Sequence, residues 1–293
     1  MKRLERHQPP CVWGSRSRGR LVPTSPTLSR VWCMTSAGPL TGRVALVTGA
    51  SRRSAIGAAI VRRLAAEGAA VVVHSWAAAD GDRADVGGVE QLVAELCAEG
   101  GNLVHVSADL AEPDAPARLV VAARDSFGRL DIVIANHARS TRQSLEELTA
   151  AELDLTYAVN TRATLLLVQE FAAQRGSGPG GRVVVFTSGQ YHGVMPAELP
   201  YIASKAALRE LTPTLAAYLI GRGITVNCVN PGPNNTGYGD DAGWAWVAER
   251  NPGGRASTPQ DTARLVAWLV SDEADWVTGQ VIASDGGWSS LGA

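Results

Sequence analysis

The hydrophobic positions of this chain form short, continuously apolar runs that alternate with longer stretches of helical periodicity. The runs are rich in valine and isoleucine and predict strands at 44–48, 70–74, 103–107, 130–135, 182–187, 225–229 and 281–283. The intervening stretches predict helices at 58–67, 88–99, 114–127, 151–174, 201–219 and 259–270. Strands that are apolar at every position are typical of a parallel sheet covered by helices on both faces.

This alternation predicts an α/β fold with one doubly wound, Rossmann-type parallel sheet of about seven strands and helices on both faces. Ligands bind such a sheet at the carboxyl ends of its strands, close to the point where the strand order reverses. Pro213 lies within the predicted helix 201–219, where it removes a backbone hydrogen bond. We therefore expect a kink or an early end of that helix.

The composition is ordinary for a soluble globular protein: 293 residues, 45% hydrophobic, 19% charged, with a net charge of −1. No apolar run approaches the roughly 18 residues of a membrane span, so we expect no membrane partner. The cysteines are scattered, without the spacing of a disulfide framework or a zinc site, at Cys11, Cys33, Cys97 and Cys228. We expect a cytoplasmic protein without a bound metal.

The charge is unevenly distributed along the chain. Residues 1–40 carry seven basic groups and one acid, whereas residues 41–293 carry a net charge of −7. The first segment is rich in proline and serine and lacks apolar periodicity, which predicts a disordered extension over 1–40 before a single domain over 41–293. An organelle transit peptide and a nucleic-acid-binding tail are alternatives. We favour a mis-assigned start or a dispensable tail before Met34, and no nucleic-acid partner.

A glycine-containing loop over 48–57 joins the first predicted strand to the first predicted helix. Small residues there, among them Gly49, Ser51 and Gly57, would let a pyrophosphate approach the backbone beside Ile56 at the helix N-terminus. The same loop is also compatible with a plain tight turn. We interpret it as a nucleotide-binding loop.

Two features favour NADP(H) over NAD(H). The second strand ends near Ser75 without the acidic residue that would bind a ribose 2′-hydroxyl. Arg52 and Arg53 lie in the loop, where a 2′-phosphate would lie, although either could instead be a solvated charge. Asp109, after the third strand, could accept from an adenine amino group or cap the next helix.

Tyr201 and Lys205 are four residues apart and so share one face of a helix. A neighbouring cation favours the phenolate form of tyrosine and lowers its pKa. Ser188, at the end of the strand 182–187, could reach the same point. These three side chains could hydrogen-bond a carbonyl oxygen and pass it a proton, although a Tyr–Lys pair of this spacing also occurs by chance.

The ordered motifs together resemble the short-chain dehydrogenase/reductase family over roughly residues 40–290. The motifs are the loop 48–57, Asp109, Asn136 with Ala138, Asn160, the Ser188/Tyr201/Lys205 set, Asn230-Pro231-Gly232 with Thr236, and the C-terminal segment 277–287. Within the family the chain looks most like bacterial reductases of the 3-oxoacyl-carrier-protein type.

The resemblance implies a role for each motif. Tyr201 would be the general acid in reduction and the base in oxidation, Lys205 would assist it and bind the nicotinamide ribose, and Ser188 would hold the substrate carbonyl. Asn160 would steady a water relay, or simply hydrogen-bond within its helix. The resemblance also places cofactor contacts at Leu110, Asn136, Ala138, Pro231, Gly232 and Thr236.

Three departures from the family pattern stand out. The phosphate loop has two extra residues and carries Ala55 where a glycine is expected, so we expect the Ala55 methyl to crowd the pyrophosphate. His137 and Arg139 replace an asparagine and a glycine, which predicts that both lie at the cleft edge as substrate contacts or surface groups. The long polar stretch 76–88 predicts a flexible flap beside the adenosine site.

The segment after Thr236 lies where the family carries its substrate lid, and Tyr238, Trp244 and Trp246 would supply apolar cover or pack at a subunit interface. Gln190, Tyr191 and His192 should also face the substrate. We therefore expect an NADP(H)-dependent enzyme that interconverts a ketone or 3-oxoacyl group and a secondary alcohol. The alternatives are an NAD(H)-dependent polyol or secondary-alcohol dehydrogenase and a non-catalytic nucleotide-sensing scaffold. The resemblance also implies a homotetramer, or a homodimer.

Overall fold

The computed structural model describes residues 38–76, 78, 88–237 and 240–291. Every described residue belongs to one compact unit, Ser36–Ala293. The predicted basic extension, including Met34, therefore lies outside the described residues except at 38–40. Leu40 is buried and donates its backbone N–H to the Glu67 carbonyl at 3.0 Å, so the packed body begins before residue 41.

Within the described residues, the sheet has seven strands, all parallel, in the order β3-β2-β1-β4-β5-β6-β7. They are β1 (Val44–Val47), β2 (Ala70–Ser75), β3 (Leu103–Ser107), β4 (Ile132–Ala135), β5 (Gly181–Phe186), β6 (Ile224–Asn230) and β7 (Val281–Ala283). The strand order reverses between β1 and β4, which puts the switch point there. The predicted doubly wound α/β sheet is confirmed.

The described helices connect these strands. They are α1 (Ile56–Ala66), α2 (Gly88–Ala98), α3 (Ala115–Phe127), α4 (Ala150–Tyr157), α5 (Ala163–Arg175), α6 (Leu199–Leu219), α7 (Asp241–Arg250) and α8 (Pro259–Val270). A π-helical turn, Ala158–Arg162, joins α4 to α5, so the predicted helix 151–174 is helical throughout but changes its hydrogen-bond spacing in the middle. Helix α7 was not predicted, because none of its residues is buried and no core-facing stripe marks its sequence.

The two faces of the sheet are covered by two separate hydrophobic cores. One contains α1, α2 and α8, with side chains such as Ile60, Leu64, Leu92 and Val266. The other contains α3, α5 and α6, with side chains such as Leu119, Leu167, Phe171 and Leu219. Because both faces of the central strands are buried, most of their positions are apolar, which explains the pattern in the sequence.

Pro213 does not end helix α6, which continues to Leu219, so the prediction of an early end is wrong. The Thr212 hydroxyl donates to the Leu208 carbonyl at 2.8 Å in the turn before the proline. Ala216 and Leu219 are buried beyond it. Packing of this buried face offsets the roughly 3 kcal/mol that a proline costs inside a helix.

No helix in the described part of the chain is both long and apolar enough to cross a membrane. The same residues contain no group of three or more histidine, cysteine, aspartate or glutamate side chains arranged to hold a metal ion.

Candidate active site

The predicted site residues lie along one edge of the sheet. All strands run in the same direction, so the segments that follow them share the carboxyl edge. Thr48 follows β1, Asn136 follows β4, Ser188 follows β5, and Asn230 is the last residue of β6. Helix α6 starts near the same edge and carries Tyr201 in its first turn.

Lys205 lies beside Tyr201 on helix α6. Its side chain is buried, its Nζ donates to the Phe186 carbonyl at 3.1 Å, and Nζ lies 5.8 Å from the centroid of the Tyr201 ring. Burial lowers the pKa of Lys205 to about 8, and the nearby Cys228 thiol acts weakly in the opposite direction. Ser188 is half-buried in extended backbone just beyond β5. The structure thus places the tyrosine and lysine together, as their spacing predicted.

Asn160 lies in the π-helical turn, where the N–H of Ala163 donates to the Ala158 carbonyl five residues back. Its Oδ1 accepts from the N–H of Arg139 at 2.6 Å. Its Nδ2 donates to the Arg139 carbonyl at 2.9 Å and to Ser204 Oγ at 2.8 Å. The amide therefore ties the segment after β4 to helix α6, one residue before Lys205.

His137 is buried rather than at the cleft edge, so that prediction is wrong. Its Nδ1 lies 2.7 Å from Thr48 Oγ1 and its Nε2 lies 2.9 Å from the Val159 carbonyl. Burial, with smaller effects of His74 and Lys205, lowers the pKa of His137 to about 3. The sequence showed only a histidine two residues after a buried strand. This signal did not reveal that its hydrogen-bond partners are Thr48 and Val159.

Arg139 forms a bidentate ion pair with Glu152, with Nε–Oε1 at 2.7 Å and Nη2–Oε2 at 2.8 Å. The guanidinium group and hydrogen bonds from Thr156 and Thr141 hold the pKa of Glu152 at about 2. Arg139 is therefore held by α4 rather than being a plain surface group.

The nucleotide loop is packed too closely for side chains at two of its glycines. Gly49 has φ = 70°, and a Cβ there would lie 2.6 Å from the Cα of His137. A Cβ on Gly57 would lie 2.4 Å from the Gly49 carbonyl oxygen and 2.8 Å from Asn136 Nδ2. Asn136 Nδ2 donates to the carbonyls of Thr48 at 3.1 Å and Gly49 at 2.9 Å, which fixes the start of the loop.

The N-terminus of helix α1 faces this loop without a capping side chain. Its N-cap is Ala55, no side chain caps it, and its first turn contains no acid. The positive end of the helix dipole can therefore receive an anion, and the site fits a nucleotide pyrophosphate. Ala55 is 9% exposed and packs within the protein, and the crowding of a pyrophosphate by its methyl group stays a prediction.

The two loop arginines have different surroundings. Arg52 Nη1 donates to the Thr236 carbonyl at 2.9 Å, which connects the nucleotide loop to the segment after β6. Arg53 Nη2 contacts both carboxylate oxygens of Glu95 on α2, at 2.8 and 2.6 Å. Ser51 Oγ accepts from the N–H of Trp76 at 3.2 Å, so the loop also contacts the end of β2.

The other predicted cofactor residues line the same edge. Ser75 Oγ lies 2.8 Å from His105 Nε2, and Asp109 Oδ1 accepts from the Ala111 N–H at 2.8 Å. Leu110 is buried and Ala138 is exposed. The predicted flap 76–88 lies outside the described residues except at 76, 78 and 88.

The segment after β6 turns sharply beside the C-terminal segment. Asn230 Oδ1 accepts from the Gly232 N–H at 3.0 Å, across Pro231. Gly232 has φ = 64°, and a Cβ there would lie 2.3 Å from the Cβ of Asp285. Asn230 Nδ2 also donates to the Tyr191 hydroxyl at 3.2 Å, which joins this turn to the segment after Ser188.

The predicted lid contains helix α7. Trp246 is exposed and packs edge-to-face on Trp288 at 5.9 Å between ring centroids, and Arg250 lies 4.5 Å from the Trp246 ring centroid. Trp244 is half-buried, and Tyr238 lies outside the described residues.

The chain is similar to known proteins over most of its length. Residues 49–289 match a family model described as enoyl-(acyl carrier protein) reductase. An uncharacterized oxidoreductase, YjdA, of Bacillus subtilis (strain 168) is 38% identical over 247 residues, covering 84% of this chain and 96% of YjdA.

Two solved structures are similar over nearly all of their own length. A short-chain dehydrogenase/reductase from Serratia marcescens BCRC 10948 has 37% identity and a TM-score of 0.76, covering 86% of this chain and 99% of that one. The angucycline C-6 ketoreductase LanV with bound NADP has 31% identity and a TM-score of 0.76, covering 86% and 97%. The chain therefore belongs to the short-chain dehydrogenase/reductase family of oxidoreductase enzymes, which use a nicotinamide cofactor.

Proposed function

We propose that this enzyme is an NADP(H)-dependent oxidoreductase that interconverts a ketone or 3-oxoacyl group and a secondary alcohol. The observation that carries the proposal is the buried ammonium group of Lys205 beside the Tyr201 ring. A cation in a site of low dielectric stabilises the phenolate form of tyrosine far more than it would in water. Tyr201 then acts as general acid in reduction and as general base in oxidation.

The surrounding residues position the substrate and return the proton. The Ser188 hydroxyl donates to the substrate carbonyl oxygen from the end of β5, and Tyr201 protonates that oxygen. When bound, a nicotinamide cofactor would supply hydride to the carbonyl carbon in reduction and accept it back in oxidation. The backbone carbonyl oxygen of Asn160 accepts a hydrogen bond from Thr164 Oγ1 at 2.7 Å, which uses one of its two lone pairs. The second lone pair holds a water that relays the proton.

The test of this mechanism is Tyr201→Phe, with Tyr218→Phe as its matched control because Tyr218 is exposed on the same helix. Loss of the general acid should lower kcat by roughly 10²–10⁴-fold. NADPH affinity, measured by the nucleotide's fluorescence, should change little in either variant. Full turnover in Tyr201→Phe with intact nucleotide binding would overturn the mechanism.

The preference for NADP(H) rests on the loop arginines and on the end of β2. Ser75 and Trp76 supply no carboxylate for a ribose 2′-hydroxyl. Arg52 donates to the Thr236 carbonyl, and its neighbour Ser51 accepts from the Trp76 N–H at the end of β2, so we assign Arg52 to the 2′-phosphate. LanV, which is 31% identical, holds NADP.

The cofactor assignment is tested by measuring Kd for NADPH and NADH in Arg52→Ala and in Arg264→Ala, whose arginine is exposed on helix α8. Arg52→Ala should weaken NADPH about tenfold, since a charge-assisted contact contributes about 1.5–3 kcal/mol, and should leave NADH unchanged. If wild-type enzyme binds NADH tenfold more tightly than NADPH, the NAD(H)-dependent alternative is correct.

The substrate is a small molecule, and we propose that helix α7 covers it with the aromatic face of Trp246. A panel of carbonyl compounds, including a short 3-oxoacyl thioester and an aromatic ketone, would identify the class by kcat/KM. Trp246→Ala should raise KM for the best substrate by about tenfold, because burying an aromatic ring contributes on the order of 1–3 kcal/mol. An unchanged KM would remove α7 from the substrate site.

Two exposed apolar patches support a homotetramer. One contains Leu153 and Tyr157, four residues apart on one face of helix α4, which are 36% and 52% exposed. The other contains Trp276, 97% exposed, beside the edge strand β7. Two separate isologous interfaces are what a D₂ tetramer requires. Light scattering should give four times the chain mass, and Trp276→Glu should yield dimers; a monomeric wild type would contradict this.

We place the protein in the cytoplasm. The described cysteines, Cys97 and Cys228, are both free thiols, as expected in a reducing compartment. Immunofluorescence or fractionation of the native host tests this, and recovery in an oxidising compartment would contradict it.

A further inference from the structure

We propose that His137 is a positioning residue that joins the nucleotide-binding loop to the π-helical turn carrying Asn160. One imidazole ring spans the two segments, between Thr48 at the start of the loop and Val159 in the turn. This inference rests on the proposed function, because it concerns how the nucleotide-binding loop and the proton relay at Asn160 are held in a fixed relative position.

The hydrogen-bond partners define the tautomer of His137. A carbonyl oxygen can only accept, so the 2.9 Å contact with the Val159 carbonyl requires a proton on Nε2. In a neutral ring Nδ1 is then an acceptor, and the Thr48 hydroxyl must donate to it across 2.7 Å. The other acceptor within reach of that hydroxyl, the Ile134 carbonyl at 3.2 Å, already accepts the Thr48 backbone N–H at 3.0 Å.

The surroundings keep this ring neutral. Its exposed fraction is only 6%, and the ionisable groups that act on it are His74 on β2 and Lys205 on α6. Both carry positive charge when protonated, so they oppose a second proton on the ring. A neutral imidazole with one donor and one acceptor is a directional link, since each nitrogen has one role only.

The link is reinforced on both sides. On the loop side, Thr48 Oγ1 accepts from the backbone N–H groups of Asn136 at 3.1 Å and His137 at 3.3 Å. Gly49 packs against the backbone of His137 so closely that no side chain fits between them. A shift of the loop therefore moves His137.

On the turn side, two consecutive carbonyls receive side-chain donors. The Val159 carbonyl accepts from His137, and the Asn160 carbonyl accepts from Thr164 Oγ1 at 2.7 Å. A π-helical turn departs from the regular helical hydrogen-bond spacing and is common at functional sites. His137 thus supports the turn immediately before the residue that we assign to the proton relay.

The first test uses NMR of cofactor-free enzyme and does not depend on activity. The Nε2–H proton of His137, assigned by its loss in His137→Gln, should persist unchanged between pH 5 and pH 8 and should shift when NADP⁺ is added. A ring that titrates near pH ~6.5, as an unperturbed histidine does, or one that does not respond to the nucleotide, would overturn the proposal.

The second test compares His137→Asn with His137→Gln. Asparagine retains a polar group near Thr48 but is too short to reach the Val159 carbonyl, whereas glutamine places an amide N–H where Nε2 lies. His137→Asn should lower kcat about tenfold, because the Val159 carbonyl loses its donor and the turn that carries Asn160 shifts, while Kd for NADPH stays within twofold. His137→Gln should recover most of that loss.

Equal kcat in both variants, or parallel loss of folding and nucleotide binding without a separate effect on kcat, would overturn the role of His137. Either result leaves the proposed function intact if Tyr201→Phe still abolishes turnover. Retained turnover in Tyr201→Phe would instead overturn the proposed function, whatever the NMR of His137 shows.

Discussion

Replacing Lys205 with methionine should abolish activity and yet make the nucleotide-free protein more stable at pH 7. The ammonium group is buried, with the Phe186 carbonyl as a hydrogen-bond acceptor. Methionine has a similar length and no charge, so Lys205→Met removes the desolvation cost of the charge while it keeps most of the packing volume.

The magnitude follows from the displaced pKa. Burial lowers the pKa of Lys205 from 10.5 to about 8, and this corresponds to a cost of about 3 kcal/mol for the charged form in the folded state. The substitution also leaves the Phe186 carbonyl without its ammonium donor, which costs about 1–3 kcal/mol. The net gain in the free energy of unfolding should be about 1 kcal/mol, or roughly 2–4 °C in Tm.

The gain should depend on pH in a defined direction. The native pKa lies below the unfolded one, so between pH 8 and pH 10.5 the unfolded chain binds more protons than the native state. The stability of the wild type therefore rises with pH across this window. The advantage of Lys205→Met should be constant below pH 8 and should shrink, or reverse, by pH 10.5.

Urea unfolding at a series of pH values measures both effects. The sequence contains only two lysines, Lys2 and Lys205, so ¹³Cε-lysine NMR can follow the titration of Lys205 directly. A variant that is destabilised at pH 7 by an amount independent of pH, or a Lys205 midpoint near 10.5, would refute the reasoning.

Three further predictions concern the fold around the site. Gly57→Ala should abolish NADPH binding or unfold the protein, because its methyl group would lie 2.4 Å from the Gly49 carbonyl oxygen. The control Gly221→Ala, whose methyl group would have nothing within 4 Å, should leave NADPH binding unchanged in a fluorescence titration. Burial lowers the pKa of His74 to about 4, so it should contribute about 2 kcal/mol of destabilisation as the pH falls from 7 to 5. In urea unfolding, His74→Gln should lose about 2 kcal/mol less stability than the wild type between pH 7 and pH 5. An equal loss of stability in the two proteins would contradict this prediction. Replacing the buried Arg182 with alanine should cost about 2–5 kcal/mol, because it leaves a cavity and removes the donors to the Gly181 and Ser271 carbonyls. The exposed Arg264→Ala should cost under about 1 kcal/mol, and similar costs would refute this.

The elements of the fold were predicted well where a valine- and isoleucine-rich run or a helical periodicity marks them locally. Strands 103–107 and 281–283 and helix 259–270 were predicted at their observed ends. Helix α7 was missed because no residue in it is buried, so that no core-facing stripe marks its sequence. Pro213 misled the prediction because tertiary burial of α6 outweighs a local helix-breaking preference.

In the candidate site, too, some contacts could be predicted from the sequence and others only from the folded structure. Tyr201 and Lys205 are four residues apart on one helix, so helix geometry alone brings them together. Arg53 was assigned with Arg52 from their shared loop, but its ion pair with Glu95 on α2 could not be read from the loop. Arg139 likewise pairs with Glu152, thirteen residues away in sequence.

The sequence by itself determined the parallel sheet, the family and the placement of Tyr201 beside Lys205, because each depends on local periodicity or on motifs with short spacing. Only the tertiary structure decided the hydrogen-bond partners of His137. Its partners, Thr48 and Val159, lie 89 and 22 residues away, and the sheet brings them together through strand order rather than through chain proximity. A buried polar side chain must find hydrogen-bond partners, but the sequence does not say which ones until the chain has folded.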